Sequence, residues 1–238
     1  MPLFGPSHLS VILLTFTVPL FLGWWVRRGA SSSRTTSINL FWVLLLVGAK
    51  LSALYLAHQR GYLDWQNALP MHLCDWAFFT AVITLIWRQQ LAYELTYFWG
   101  LAGTMQALLT PDLNFDFPDP RFLTFFISHG GIIAVVIYTT YGLRFRPTWK
   151  SVLRAVIASQ VYLAVTICVN LIFDANYGYL CRKPENPSLM DYFGPWPWYI
   201  LTLEVMALFF YVIYYAPFAI RDALDSANSR KTTANDNL

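Results

Sequence analysis

Charge is what this chain has least of: Asp, Glu, Lys and Arg make up 12% of its 238 residues, about half the roughly 25% of an ordinary soluble domain. So little charge cannot cover a water-facing surface, whereas 57% apolar and 18% aromatic residues suit hydrocarbon. The net charge of +3 is too small to recruit nucleic acid, and no glycine-rich nucleotide loop or zinc-finger spacing supplies another route to it. Cysteine is scarce as well. Cys74, Cys168 and Cys181 are an odd, widely spaced set, which excludes a disulfide framework and leaves at least one thiol free. No basic segment precedes the first apolar run, 9–26, so it reads as a retained helix rather than a cleaved leader.

Long apolar runs are abundant. A bilayer core needs about 17–25 residues of helix, and seven stretches fit: 9–26, 38–57, 72–87, 91–110, 122–141, 152–173 and 196–216. The expectation is an all-α, multi-pass protein of the cell (cytoplasmic) membrane. It has one seven-helix domain over 1–225 and a polar, disordered cytoplasmic tail over 226–238. Ser37 precedes the second run, Asp119-Pro120 opens the fifth as cap and first-turn proline, and Pro195-Trp196-Pro197-Trp198 opens the seventh. With the amino terminus outside, Arg27, Arg28, Arg34, Arg88, Arg144, Arg146, Lys150, Arg154, Arg221, Arg230 and Lys231 fall inside, against Arg60, Arg121, Arg182 and Lys183 outside. That asymmetry assigns the amino terminus out and the carboxyl terminus in; Asp112, Asp116 and Asp119 of one outer loop count little.

Ionisable groups inside such runs are costly and mark function by default. Pro70-Met71-His72-Leu73-Cys74-Asp75-Trp76 puts an imidazole, a thiol and a carboxylate within four residues at the mouth of a span. At about 1.5 Å of rise per residue, Cys74 lies about 6 Å below Pro70, and His129 about 13 Å below Pro120. Lys50 and Glu204 lie at about 10–12 Å on the same scale, and Gln106 and Asn170 also fall in the outer half. Six spans thus deliver polar side chains to one outer layer, which predicts an outward-opening polar pocket. Plainer readings exist for each: Lys50 and Glu204 neutralising one another, and Gln106 and Asn170 as interhelical hydrogen bonds. Trp196 and Trp198 read first as interfacial anchors, His8 and His58 as solvated helix ends, and Cys168 as inert core.

A cysteine nucleophile needs a base, because the free thiol is mostly protonated near neutrality. His72 and Cys74 are about 200° apart on a regular helix, while His72 and Asp75 share a face. A base for Cys74 therefore comes from another helix. His129, followed by Gly130-Gly131 that admit a close neighbour, is the other histidine inside a span, and Asp75 or Glu204 could orient it. Two rival uses of these groups stay open. One is a metal site from His72, Cys74 and His129, which the diverging His-x-Cys geometry disfavours. The other is a transporter or lipid-binding protein with the same pocket, although no inverted repeat is visible.

Several strings run in order along nearly the whole chain: His72-Leu73-Cys74-Asp75-Trp76, Glu94-Leu95-Thr96-Tyr97-Phe98-Trp99-Gly100-Leu101-Ala102-Gly103-Thr104, Leu108-Leu109-Thr110-Pro111-Asp112, Ser128-His129-Gly130-Gly131, Asn176-Tyr177 with Lys183-Pro184, and Gly194-Pro195-Trp196-Pro197-Trp198-Tyr199. They resemble the YwaF family of bacterial integral membrane proteins and, more distantly, the eukaryotic transmembrane protein 164 group, acyltransferases that move fatty acyl chains between phospholipids. The resemblance implies a cysteine-dependent acyltransferase with Cys74 as nucleophile and His129 as base, membrane lipids as partners, and neither metal nor cofactor. His72, Asp75, Lys50, Gln106, Asn170, Asn176, Tyr177, Glu204, Trp196 and Trp198 are the expected supporting residues, with Gln106, Asn170, Asn176 or a backbone N–H near Pro70 as oxyanion donor.

Overall fold

A computed structural model describes residues 2–111, 113–184 and 189–235; Asp112 and the last three residues of the expected tail lie outside it. Among the described residues there is no strand. The helices are α1 (Pro6–Arg27), α2 (Ser32–Gln59), α3 (Leu73–Trp87), α4 (Gln90–Trp99), α5 (Met105–Leu109), α6 (Pro120–Ile137), α7 (Trp149–Phe173) and α8 (Trp198–Asn235). A π-helical turn, Gly100–Thr104, joins α4 to α5, and another, Tyr138–Gly142, extends α6. These form seven rods matching the seven apolar runs. Five are long and apolar enough to cross a bilayer: α1, α2, Pro120–Gly142, α7 and α8; α3 is apolar but shorter.

Local chemistry sets most of the borders. α2 begins six residues before the apolar run suggested, because Ser31 rather than Ser37 caps it, its hydroxyl accepting the Arg34 N–H at 3.3 Å. Asp119 caps α6 as the sequence implies, accepting the Arg121 N–H at 2.8 Å with Pro120 in the first turn. The run 91–110 is not one regular helix. Its π turn shifts the phase between α4 and α5, so residues after Gly100 face other directions than a 3.6-residue period assigns.

α6 is the central rod: 61% of its apolar stretch is buried within the protein, against 6% for α8. Helices in lipid gain little from hydrophobicity against each other, so close approach of backbones does the packing. A Cβ on Gly131 would stand 2.8 Å from Leu46 of α2, and one on Gly130 would stand 2.6 Å from the Thr15 hydroxyl of α1. Those two glycines let α6 press against both neighbours directly beside His129. The core then spreads through Leu46, Phe98, Trp99, Val135 and Tyr138.

α3 has 15 residues, about 22 Å of rise against a hydrocarbon core of about 30 Å. The connection 60–72, exposed over 60–67 and half-buried over 68–72, leads to its start. Tyr177 pins this connection, its hydroxyl donating to the Trp65 carbonyl at 2.9 Å and accepting the Leu69 N–H at 2.8 Å.

Candidate functional site

Between α2, the start of α3 and α6 lies a cleft of about 460 Å³. One face of α2 supplies Lys50, Ala53, Ala57 and Arg60, spaced by three or four residues, and one face of α6 supplies Arg121, Phe125, Ser128, His129 and Ile132. From α3 come Cys74, Asp75 and Phe78; the connection 60–72 adds Tyr62, Asn67, Leu69 and the cap residue His72, and the loop before α6 adds Leu113 and Phe115. Cys74, half-buried, and His129 thus line the same cavity from different helices.

The imidazole of His129 is oriented by its own helix. Its Nδ1 lies 2.8 Å from the Phe125 carbonyl, which only accepts, so Nδ1 carries the proton and Nε2 is left with its lone pair. The Phe125 ring, with its centroid 4.3 Å away, holds the imidazole plane. A backbone carbonyl thus fills the orienting place considered for Asp75 or Glu204.

Asp75 is engaged elsewhere. It forms an ion pair with Lys50 across α2 and α3 and accepts the backbone N–H of His72 at 3.1 Å, closing the first turn of α3. The shared face of His72 and Asp75 is therefore used through the His72 backbone rather than its ring. The ring meets Tyr177 edge-on at 5.3 Å, and its Nδ1 accepts the Gly178 N–H at 3.4 Å. Lys50 pairs with Asp75, and Glu204 receives a hydrogen bond from Gln160, so the alternative of a Lys50–Glu204 pair is replaced.

The other expected members stand outside the cleft. Asn170, 2% exposed, donates to the Tyr177 carbonyl at 2.9 Å and accepts the Tyr177 N–H at 2.8 Å, tying the end of α7 to the turn that clamps the connection 60–72. Asn176 accepts the N–H groups of Cys181 and Arg182 at 3.1 and 3.0 Å and donates to the Arg182 carbonyl. Gln106 is exposed on α5. Trp196 donates to the Leu180 carbonyl at 3.1 Å and, like Trp198, is largely exposed. Depth along a helix places a residue in a layer, but the azimuth set by packing decides whether it faces the same space.

Three features escaped the sequence reading. Arg60 and Arg121 counted there only towards orientation, although each ends a helical stripe that faces the cleft. His8 is not a solvated helix end: it is fully buried, bonded to the Leu108 carbonyl at 2.7 Å and flanked by Phe4 and Phe126. Glu94, fully buried, accepts two 2.6 Å hydrogen bonds from Arg154; a lone acid and a lone base, each one turn inside adjacent ends of two apolar runs, are the signal that could have paired them. Cys168, expected as inert core, is exposed on α7, and Cys181 is exposed too. Among the described residues no three His, Cys, Asp or Glu side chains gather as a metal site.

An uncharacterized protein of Treponema pallidum (strain Nichols) is 29% identical over 121 residues, 51% of this chain and 50% of the relative. The chain thus spans about half the length of that curated relative. No solved structure matches it. The match that runs along the chain is to the group the sequence strings resembled more distantly: residues 3–215 fit the TMEM164 family, and the chain belongs to that family.

Proposed function

We propose that this protein is a membrane-embedded acyltransferase or transacylase that moves fatty acyl chains between lipids through a Cys74 thioester. The observation that carries this reading is the convergence of Cys74 and His129, from α3 and α6, on one cleft, with the His129 Nδ1 engaged by the Phe125 carbonyl so that Nε2 is the basic nitrogen of its neutral imidazole. Membership of the TMEM164 family supports it through the resemblance drawn from the sequence. We further propose that all seven rods span the membrane with the amino terminus outside. The cleft then opens towards the outer leaflet, where a cytosolic acyl-CoA has no access and a lipid ester is the donor at hand.

In the proposed reaction His129 Nε2 takes the thiol proton as Cys74 attacks the ester carbonyl carbon. The ester C–O bond breaks, the departing lysolipid oxygen takes the proton from the imidazolium, and the acyl group remains as a thioester. An acceptor hydroxyl, from a lysolipid or water, then gives its proton to Nε2 and attacks. The C–S bond breaks, and the imidazolium returns the proton to sulfur. With Gln106, Asn170 and Asn176 outside the cleft, the backbone N–H of Cys74, which meets no backbone carbonyl at the start of α3, is the donor for the oxyanion. Lys50 and Asp75 hold that turn in place, and the reaction needs no cofactor.

The test is labelling of the purified protein with a thiol-reactive acyl probe. Labelling of Cys74 that falls by about 100-fold or more in His129→Ala is the expected result, at the scale of a lost general base. Equal labelling of Cys74 and Cys168, indifferent to His129, overturns the reading.

A further inference from the structure

The mouth of the cleft carries two arginines that the reaction does not use. Arg60 closes the α2 stripe and Arg121 opens the α6 stripe, at the same end of two helices, with Ala53, Ala57, Thr124 and Phe125 forming the walls below them. Along α6, Arg121 precedes His129 by eight residues, about 12 Å of rise, so the guanidiniums mark the rim and the Cys74–His129 pair the floor.

The cations of this cleft do not balance. Lys50 is paired with Asp75, and Arg121 with Asp119 at 2.6 Å, while Arg60 has no ion-pair partner among the described residues. Arg60 is near enough to the pair at the α6 cap for its charge to act on Asp119, whose carboxyl is held down at about 2, first by the hydrogen bonds from Arg121. The rim therefore presents one uncompensated positive charge beside a second guanidinium, above an apolar shaft. Arginine at a helix end reaches to the membrane interface, where lipid phosphates lie, and its planar fork matches a phosphate oxygen pair.

We infer that Arg60 and Arg121 form a phosphodiester subsite that seats the headgroup of a phospholipid at the rim of the cleft while its ester-linked chain enters the shaft. This rests on the lipid-substrate reading above. A single negative charge on the phosphate matches the single unpaired cation, and the shaft below is lined by Leu54, Phe78 and Ile132. A neutral diacylglycerol lacks the group the rim recognises, and free phosphate lacks the chain the shaft recognises.

Binding is measured on the full-length, detergent-solubilised Cys74→Ala protein, so that no acyl transfer is read and failure of the chemistry leaves this test intact. The probes are dihexanoyl phosphatidylcholine below its micelle concentration, dihexanoylglycerol and inorganic phosphate. The expected result is that Arg60→Gln weakens phosphatidylcholine binding about tenfold, the loss of one charge-assisted contact. Arg121→Gln should do the same, while Arg182→Gln, outside the cleft, changes nothing. Dihexanoylglycerol should bind about tenfold more weakly and ignore Arg60→Gln. Arg60 is an exposed residue at the end of α2, so its variant tests the subsite even if Arg121→Gln, which loosens the α6 cap, fails to fold. Unchanged phosphatidylcholine affinity in Arg60→Gln, or equal binding of dihexanoylglycerol, overturns the inference. Inorganic phosphate that binds as tightly as the lipid overturns it also, by making the rim a site for a free anion.

Discussion

At the end of the bundle away from the cleft, Glu94 is sealed by Arg154, Gln90 donates to it at 2.9 Å, and Ser151 bonds the same arginine. Nearby, Asn39 links the Leu85 carbonyl to the Tyr138 hydroxyl. At the cleft end, Lys50 and Asp75 are also paired, but His129, Cys74 and Arg60 line the cavity without an ion-pair partner among the described residues. Each end holds an acid–base pair between helices, and the difference lies in how far the groups around it are satisfied. A buried polar group with all its partners rigidifies a bundle, whereas one left with a free lone pair or an unpaired charge is poised to meet a ligand.

The largest effect that separates the ends is expected at the sealed one. Glu94→Leu removes a fully buried carboxylate with two short bonds to Arg154 and should lower stability by about 1.5–3 kcal/mol in thermal unfolding. Acyl-probe labelling of Cys74 in the protein that remains folded should be unchanged. Altered labelling at temperatures well below unfolding would mean that the two ends are coupled, and the comparison would fail.

A smaller effect belongs to the clamp. Tyr177→Phe leaves the Trp65 carbonyl and the Leu69 N–H without their shared partner, at a cost of about 1–2 kcal/mol. Freeing the connection 60–72 should speed modification of Cys74 by a small maleimide, with Cys168 on α7 as the unaffected reference. Equal acceleration at both thiols would point to global loosening instead.

The smallest effect is the acid dependence of the α6 cap. The hydrogen bonds from Arg121 hold the Asp119 carboxyl at about 2, below an ordinary aspartate near 3.9. A depressed folded value means a contribution present above the unfolded value and lost as pH falls towards the folded one. The stability gap between the wild type and Asp119→Asn should thus be constant above about pH 5 and shrink towards pH 2. It should be small, since the pair keeps about a quarter of its side-chain surface in solvent. A gap that persists at pH 2 would mean the cap does not depend on the carboxylate.

The rods were legible because lipid imposes a length and a composition on anything that crosses it, and the cap at Asp119-Pro120 was legible because its chemistry is local. Cys74 and His129 were legible as rare reactive groups within apolar runs. The polar layer read from depth was not equally sound: Gln106, Asn176 and Glu204 turn away from the cleft, and Asn170 and Tyr177 serve as a clamp beside it. The π turn Gly100–Thr104 alone shifts the phase of everything after it in that run, and no residue in Gly100-Leu101-Ala102-Gly103-Thr104 announces it. His8 was misread because an imidazole near a chain end looks solvated until α5 and α6 fold over it.

The sequence by itself determined that this is a helical membrane protein with one thiol–imidazole pair worth following, since hydrophobic run length and the rarity of ionisable groups are one-dimensional properties. Only the tertiary structure decided which polar groups share a space. That outcome depends on the rotation of each helix about its axis, on how far Gly130 and Gly131 let α6 approach its neighbours, and on where along its neighbours the short α3 begins. These are properties of contacts between segments, and no single segment carries them.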